Sequence, residues 1–140
     1  MGKAEWNAAP DGKYWLDIAV GSLDLVLMLD TGITDNRHWV GCELEAAAYA
    51  RLKAAGEFRH IAHRTVRDAA GGQTRRECGM IGVQLIDSTT GGRVGPVVDV
   101  FVSQGVASVP SRVGVAFFHR LAGCRVIWEL DQRTWSIEYP

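Results

Sequence analysis

The chain is poor in the features that would declare a function at once. Among its 140 residues only three are cysteine, Cys42, Cys78 and Cys124, an odd number set far apart. They make neither a disulfide framework nor a zinc pattern, and point to a reducing, cytoplasmic setting. An excess of charge of either sign is missing too. Fifteen Lys and Arg stand against sixteen Asp and Glu, for a formal net charge of -1. Nothing therefore steers the molecule toward nucleic acid or an anionic membrane. Arg64, Arg67, Arg75 and Arg76 form a local basic cluster, but acidic residues lie nearby. No apolar run approaches membrane-spanning length. The stretch Met1-Gly2-Lys3-Ala4-Glu5-Trp6-Asn7 has no apolar core of the signal-peptide kind. Trp6 also stands where a myristoylation signal wants Ser or Thr. Gly91-Gly92-x-x-Gly95 lacks the strand–turn–helix context of a nucleotide loop. Internal repeats and domain linkers are absent.

What is present has the size of one domain, with an ordinary apolar fraction of 47%. Residues 1–13 read as an N-terminal arm with a turn at Pro10-Asp11-Gly12, ahead of a single domain over 14–140. Tyr14 to Val20 alternates like a strand. Leu25 to Leu29 is a continuous apolar run suited to a strand buried on both faces. Residues 43–55 are rich in alanine, leucine and charge and predict the one substantial helix. Leu44, Ala48, Leu52 and Ala55 form its apolar stripe, and Gly56 its C-terminal stop. Beyond it the pattern is β-like. Strands are expected over 61–66, 74–78, 80–86 and 97–102, with a hairpin tip at 68–73. A loop is expected over 104–112 and a short helix over 115–121. A last hairpin spans 124–139, in which Trp128 and Trp135 pair. Many short strands and one helix predict a mostly β, closed domain.

One segment carries chemistry. Leu25-Val26-Leu27-Met28-Leu29-Asp30-Thr31-Gly32-Ile33-Thr34 drives an apolar strand straight into an Asp-Thr-Gly turn. A buried strand that delivers a carboxylate into a glycine turn is unusual for a merely structural Asp. With the glycines at 71–72 and the late segment Val113-Gly114-Val115-Ala116-Phe117-Phe118, it resembles the retropepsin-like aspartic proteases. The likeness is spread over most of residues 14–139. It departs from the family pattern at Ile33, where Ala or Ser is usual, in the length of the alanine-rich helix, and at Val113-Gly114, where Leu-Gly is usual.

The resemblance implies a closed, antiparallel acid-protease barrel and a catalytic Asp30. Aspartic peptidases use two carboxylates that share one proton. The chain has a single such motif, so the resemblance implies a C2 homodimer with two Asp30 side chains at its axis. Thr31 and Gly32 would support the active-site loop. Ile33, Ala70, Gly71, Gly72 and Gln73 would contact a polypeptide substrate, the last four from a flap. No metal or cofactor is implied. A non-catalytic peptide-binding or assembly module on the same fold is the alternative, and a small β domain with an unrelated ligand is a third class. His60 and His63 stand three apart, but no helix pattern there supports a metal pair; His38 and His119 lack a nameable partner, and Asp99 reads as a packed or hydrogen-bonded strand residue.

Overall fold

The computed structural model describes residues 2–31, 33, 40–67, 71–105 and 110–140. The elements follow in chain order as β1 (Gly2–Asn7), β2 (Trp15–Val20), β3 (Leu23–Leu29), β4 (Val40–Leu44), α1 (Ala46–Ala54), β5 (Arg59–Arg67) and β6 (Gln73–Ile86), then β7 (Arg93–Gln104), β8 (Arg112–Val113), α2 (Val115–His119), β9 (Arg125–Glu129) and β10 (Thr134–Tyr139). Residues 35–39, which read from the sequence as a loop, and parts of the hairpin tip at 68–73 and the loop at 104–112 lie outside the described residues.

Two sheets organise these strands. The smaller has the order β1-β10-β9. The larger runs β2-β3-β8-β4-β7-β6-β5, and β2 also pairs with β6 through Ile18↔Leu85 and Val20↔Val83. Six strands are thus linked in a ring, with β5 outside it. The ring is not the closed antiparallel barrel expected from the sequence. β3 runs parallel to β8, with Leu29 opposite Val113, and β4 runs parallel to β7. Strand periodicity reports which face is buried and carries no information on strand direction. Parallel neighbours need long connections, and here the intervening chain supplies α1, β5 and β6. One member of the ring, β8, is two residues long, too short to leave a pattern in the sequence.

Four further expectations change. Residues 2–7, read as part of a loose arm, form β1 and pair with β10 from Gly2↔Tyr139 to Asn7↔Thr134. Alternation explains it: Ala4 and Trp6 are buried while Lys3, Glu5 and Asn7 face out. The apolar run of β3 is not buried on both faces, since Leu27 is fully buried but Val26 is exposed. The helix begins later than its composition suggests. Glu43 and Leu44 belong to β4, where they pair with Ser103 and Gln104, so sheet pairing overrides helix propensity. Residues 74–86, read as two strands, are one continuous β6.

The core is filled from both sheets and both helices. Leu16, Ile18 and Val20 of β2 meet Val83, Leu85, Val100 and Val102, with Tyr49 and Leu52 of α1 and Phe117 of α2. Each fully buried Leu, Ile, Val or Phe contributes about 1.5–3 kcal/mol relative to exposure. Trp135 joins the small sheet to this core, with its ring 6.1 Å from Trp6 and 4.8 Å from Phe118. Trp128 and Trp135 are cross-strand partners in the β9–β10 ladder. The Trp128 ring also meets Tyr14, edge to face at 5.9 Å.

Candidate active site

The β3 strand ends where its neighbour β8 fixes it. The Met28 amide donates to the Ser111 carbonyl (3.0 Å), and the Asp30 amide to the Val113 carbonyl (2.9 Å). The chain then turns, with the Ile33 amide donating to the Asp30 carbonyl (3.2 Å). The turn packs tightly on the start of α2. The Val115 amide donates to the Ile33 carbonyl (3.1 Å), and the Gly114 amide to the Gly41 carbonyl (2.8 Å). A Cβ added at Gly114 would lie 2.4 Å from the Ile33 Cβ, so this close approach requires glycine.

Asp30 meets a cation in its own chain. Arg112 Nη1 donates to Asp30 Oδ2 (3.0 Å), and Arg112 Nη2 to Glu43 Oε1 (2.7 Å). Arg76 Nη1 lies 3.4 Å from the same Glu43 oxygen. Four charges from the β3 end, β8, β4 and β6 thus alternate in sign as Asp30, Arg112, Glu43, Arg76. Glu43 is buried, and a buried carboxylate needs paired cations and hydrogen bonds. Partial burial works against the Arg112 charge. The Glu43 hydrogen bond and charge, and then those of Asp30, outweigh it and raise the guanidinium pKa above its ordinary value.

The other face of the Asp30 loop is apolar. Leu29 and Thr31, the neighbours of Asp30, line a groove of about 280 Å³ with Val115, Phe118, His119, Val126, Trp128 and Trp135. Its far wall belongs to β9, where Trp128 is 49% exposed and Val126 43%, so that two large apolar side chains stand open at a strand on the sheet edge. Trp128 is anchored by its Nε1 donating to the Tyr14 hydroxyl (3.1 Å). A second cavity, about 330 Å³ at the terminal strands, is lined by Gly123, Arg125, Glu138, Tyr139 and Pro140 and holds no residue of the Asp30 loop.

The site residues named from the sequence fall in separate places. Thr31 lines the groove, and Asp30, its neighbour in the chain, is ion-paired to Arg112. Ile33 lies against Gly114 at the start of α2. Gly71, with φ of +85°, Gly72 and Gln73 lie exposed at the β5–β6 hairpin end, where Gln73 pairs with Arg67. Gly32 and Ala70 lie outside the described residues. Arg112, Glu43 and Arg76 were not among the residues named from the sequence. Arg112 sits 82 positions from Asp30, in a stretch read as loop, and Glu43 was assigned to the helix. The available signal was a lone arginine directly before the Val-Gly-Val segment. Among the described residues no group of three or more His, Cys, Asp or Glu is placed to hold a metal ion. No helix among them is long and apolar enough to cross a membrane.

No protein-family model matches the chain, and no curated protein matches it. Chains of known structure do. One is the crystal structure of a retropepsin-like aspartic protease from Rickettsia conorii, with a TM-score of 0.68, 16% identity, and coverage of 99% of this chain and 91% of that one. At that identity the likeness is one of fold. The chain has the fold of a retropepsin-like aspartic protease, and the resemblance read in its sequence holds at that level.

Proposed function

We propose, from the retropepsin-like fold and the carboxylate at the head of its β3 turn, that this protein is an aspartic endopeptidase acting as a homodimer. One observation carries the reading. The fold likeness runs the length of the chain, and Asp30 directly follows β3, with its neighbours Leu29 and Thr31 lining an open apolar groove. In this reading two copies bring their Asp30 carboxylates together. Like charges at that spacing do not both ionise easily, so the pair keeps one proton. The ionised member takes a proton from a bound water, which attacks the scissile carbonyl. The protonated member polarises that carbonyl. The pair titrates as a unit. Thr31 and Gly32 hold the loop, Ile33 shapes the cleft, and the hairpin tip at 70–73 closes over an extended polypeptide and excludes water. The second copy is received by the groove and the exposed face of β9, since both adjoin the residues flanking Asp30. Three cysteines, two of them buried, suit a reducing cytoplasm.

A second reading has one observation in its favour. Within a single chain, Asp30 is already ion-paired to Arg112, which fits a peptide-binding or assembly module that has no use for a shared proton.

A diverse peptide library, digested from about pH 3 to 8 and read by mass spectrometry, separates the two. The peptidase reading expects products from the native chain. It expects Asp30→Asn to lose about 10²–10⁴-fold in rate, the contribution of a general acid–base group, while staying folded. A folded dimer that yields no products, or an Asp30→Asn variant as active as the native chain, overturns it.

A further inference from the structure

We propose that Arg112 is a positioning residue, which with Glu43 behind it fixes the direction of the Asp30 carboxylate within each protomer before the partner arrives. The inference rests on the peptidase reading. Its geometry is that of a two-ended clamp. One terminal nitrogen of Arg112 holds Asp30 at 3.0 Å and the other holds Glu43 at 2.7 Å. The remaining nitrogen, Nε, is buried. A planar fork tied to two anions on two different elements has one orientation, which a lysine with its single ammonium cannot reproduce. Glu43 is itself set by Arg76 of β6 at 3.4 Å, so the clamp is anchored in the sheet and not in the loop it steadies.

Stability does not account for this chain of charges. Partly buried ion pairs contribute little net stability, because desolvation offsets their attraction. Orientation is a better explanation. Arg112 holds Asp30 at Oδ2, and a proton-sharing pair needs the carboxylate turned toward the axis. Reacting groups must be held to within a fraction of an ångström, and a displacement of about 1 Å costs about 10²-fold in rate. The clamp sets that direction from inside one chain, so the pair forms from two groups already aimed.

The test is kinetics and carboxyl ¹³C NMR on the native protein, Arg112→Gln, Glu43→Gln and the double variant. Arg112→Gln is expected to lower kcat about 10²-fold with KM little changed, because Arg112 acts through Asp30 and not on the substrate. Glu43→Gln, which does not touch Asp30, is expected to lower kcat about tenfold, and the double variant to be no worse than Arg112→Gln. The Asp30 carboxyl resonance is expected to move in both single variants at neutral pH. Should Arg112→Gln fail to fold, Arg112→Lys keeps the charge, loses the fork, and is expected to show a partial loss of kcat. A rise in KM with kcat unchanged would make Arg112 a substrate contact and overturn the proposal. So would a native-like kcat in folded Arg112→Gln, or an Asp30 resonance unmoved in both variants. The two readings fail separately. A folded native dimer that cuts nothing, but whose Asp30 resonance moves in Glu43→Gln, defeats the peptidase and leaves the clamp standing.

Discussion

The two sides of the Asp30 turn are built on opposite principles. On one side, Arg112, Glu43 and Arg76 answer charge with charge inside a single chain. On the other, Leu29 and Thr31 open onto a groove whose outer wall exposes Trp128 and Val126. The first surface is self-sufficient. The second leaves large apolar side chains in water, and in the proposed dimer it is the side that receives the second copy. In the proposed peptidase, the carboxylate between them is steadied from within and completed from without. That arrangement suits chemistry which needs two chains but cannot tolerate a loose one.

This contrast can be broken from the apolar side first. Trp128→Glu places a charge on the exposed wall and removes the hydrogen bond to Tyr14. Central aromatic residues of interfaces are worth about 2 kcal/mol or more, so self-association is expected to weaken at least thirtyfold. Sedimentation velocity reads this directly, with circular dichroism expected to be unchanged because Trp128 is half exposed. A variant that still pairs like the native chain would place the interface elsewhere.

The junction of the two sides gives the next effect. Gly114→Ala would push a methyl into Ile33, whose Cβ would be 2.4 Å away. Overpacking of this sort destabilises by about 1–3 kcal/mol. Denaturant unfolding should show the loss. Because Ile33 belongs to the Asp30 turn, the rate of peptide cleavage should fall more than stability alone explains. An alanine accepted without loss would mean that the turn is free to shift.

The smallest effect comes from a charge pair remote from the turn, and it sharpens the comparison as a control. Lys53 Nζ and Glu77 lie 2.9 Å apart. The Lys53 hydrogen bond is the main cause holding the Glu77 carboxyl below its ordinary range, with smaller help from Tyr49 and His63. A carboxylate depressed in the folded state stabilises above its unfolded pKa, and the gain is lost as pH falls through the folded value. Lys53→Met should therefore cost under about 1 kcal/mol near neutrality. The difference from the native chain should shrink toward zero under acid conditions. Peptide cleavage should be unaffected, whereas Glu43→Gln, another change to a single ion-paired residue, is expected to reduce it.

How far the sequence could be read follows the same division. The Asp30 turn was legible because it is local: an apolar strand, a carboxylate and a glycine lie next to one another. The last hairpin was legible because Trp128 and Trp135 flank a short turn. The clamp was not, because Arg112 and Asp30 meet only through a parallel pairing of two residue pairs, Met28↔Arg112 and Leu29↔Val113. No periodicity announces a strand that short. Glu43 was hidden by its neighbours, since the alanines that follow it are strong helix formers and drew it into the helix. The mixed ring was misread as an antiparallel barrel for a related reason, because direction depends on long connections and not on alternation. β1 was missed although Ala4 and Trp6 alternate with charged residues, since its partner β10 lies at the opposite end of the chain.

Subunit mixing decides whether two Asp30 groups from two chains make one active site. Increasing amounts of Asp30→Asn protein are exchanged into a fixed amount of native protein, and peptide cleavage is measured after equilibration. The account predicts that activity falls in proportion to the native chains diverted into mixed pairs, toward zero at large excess. Cleavage that stays constant while mixed pairs form would mean that one Asp30 suffices, and would contradict the shared-proton dimer.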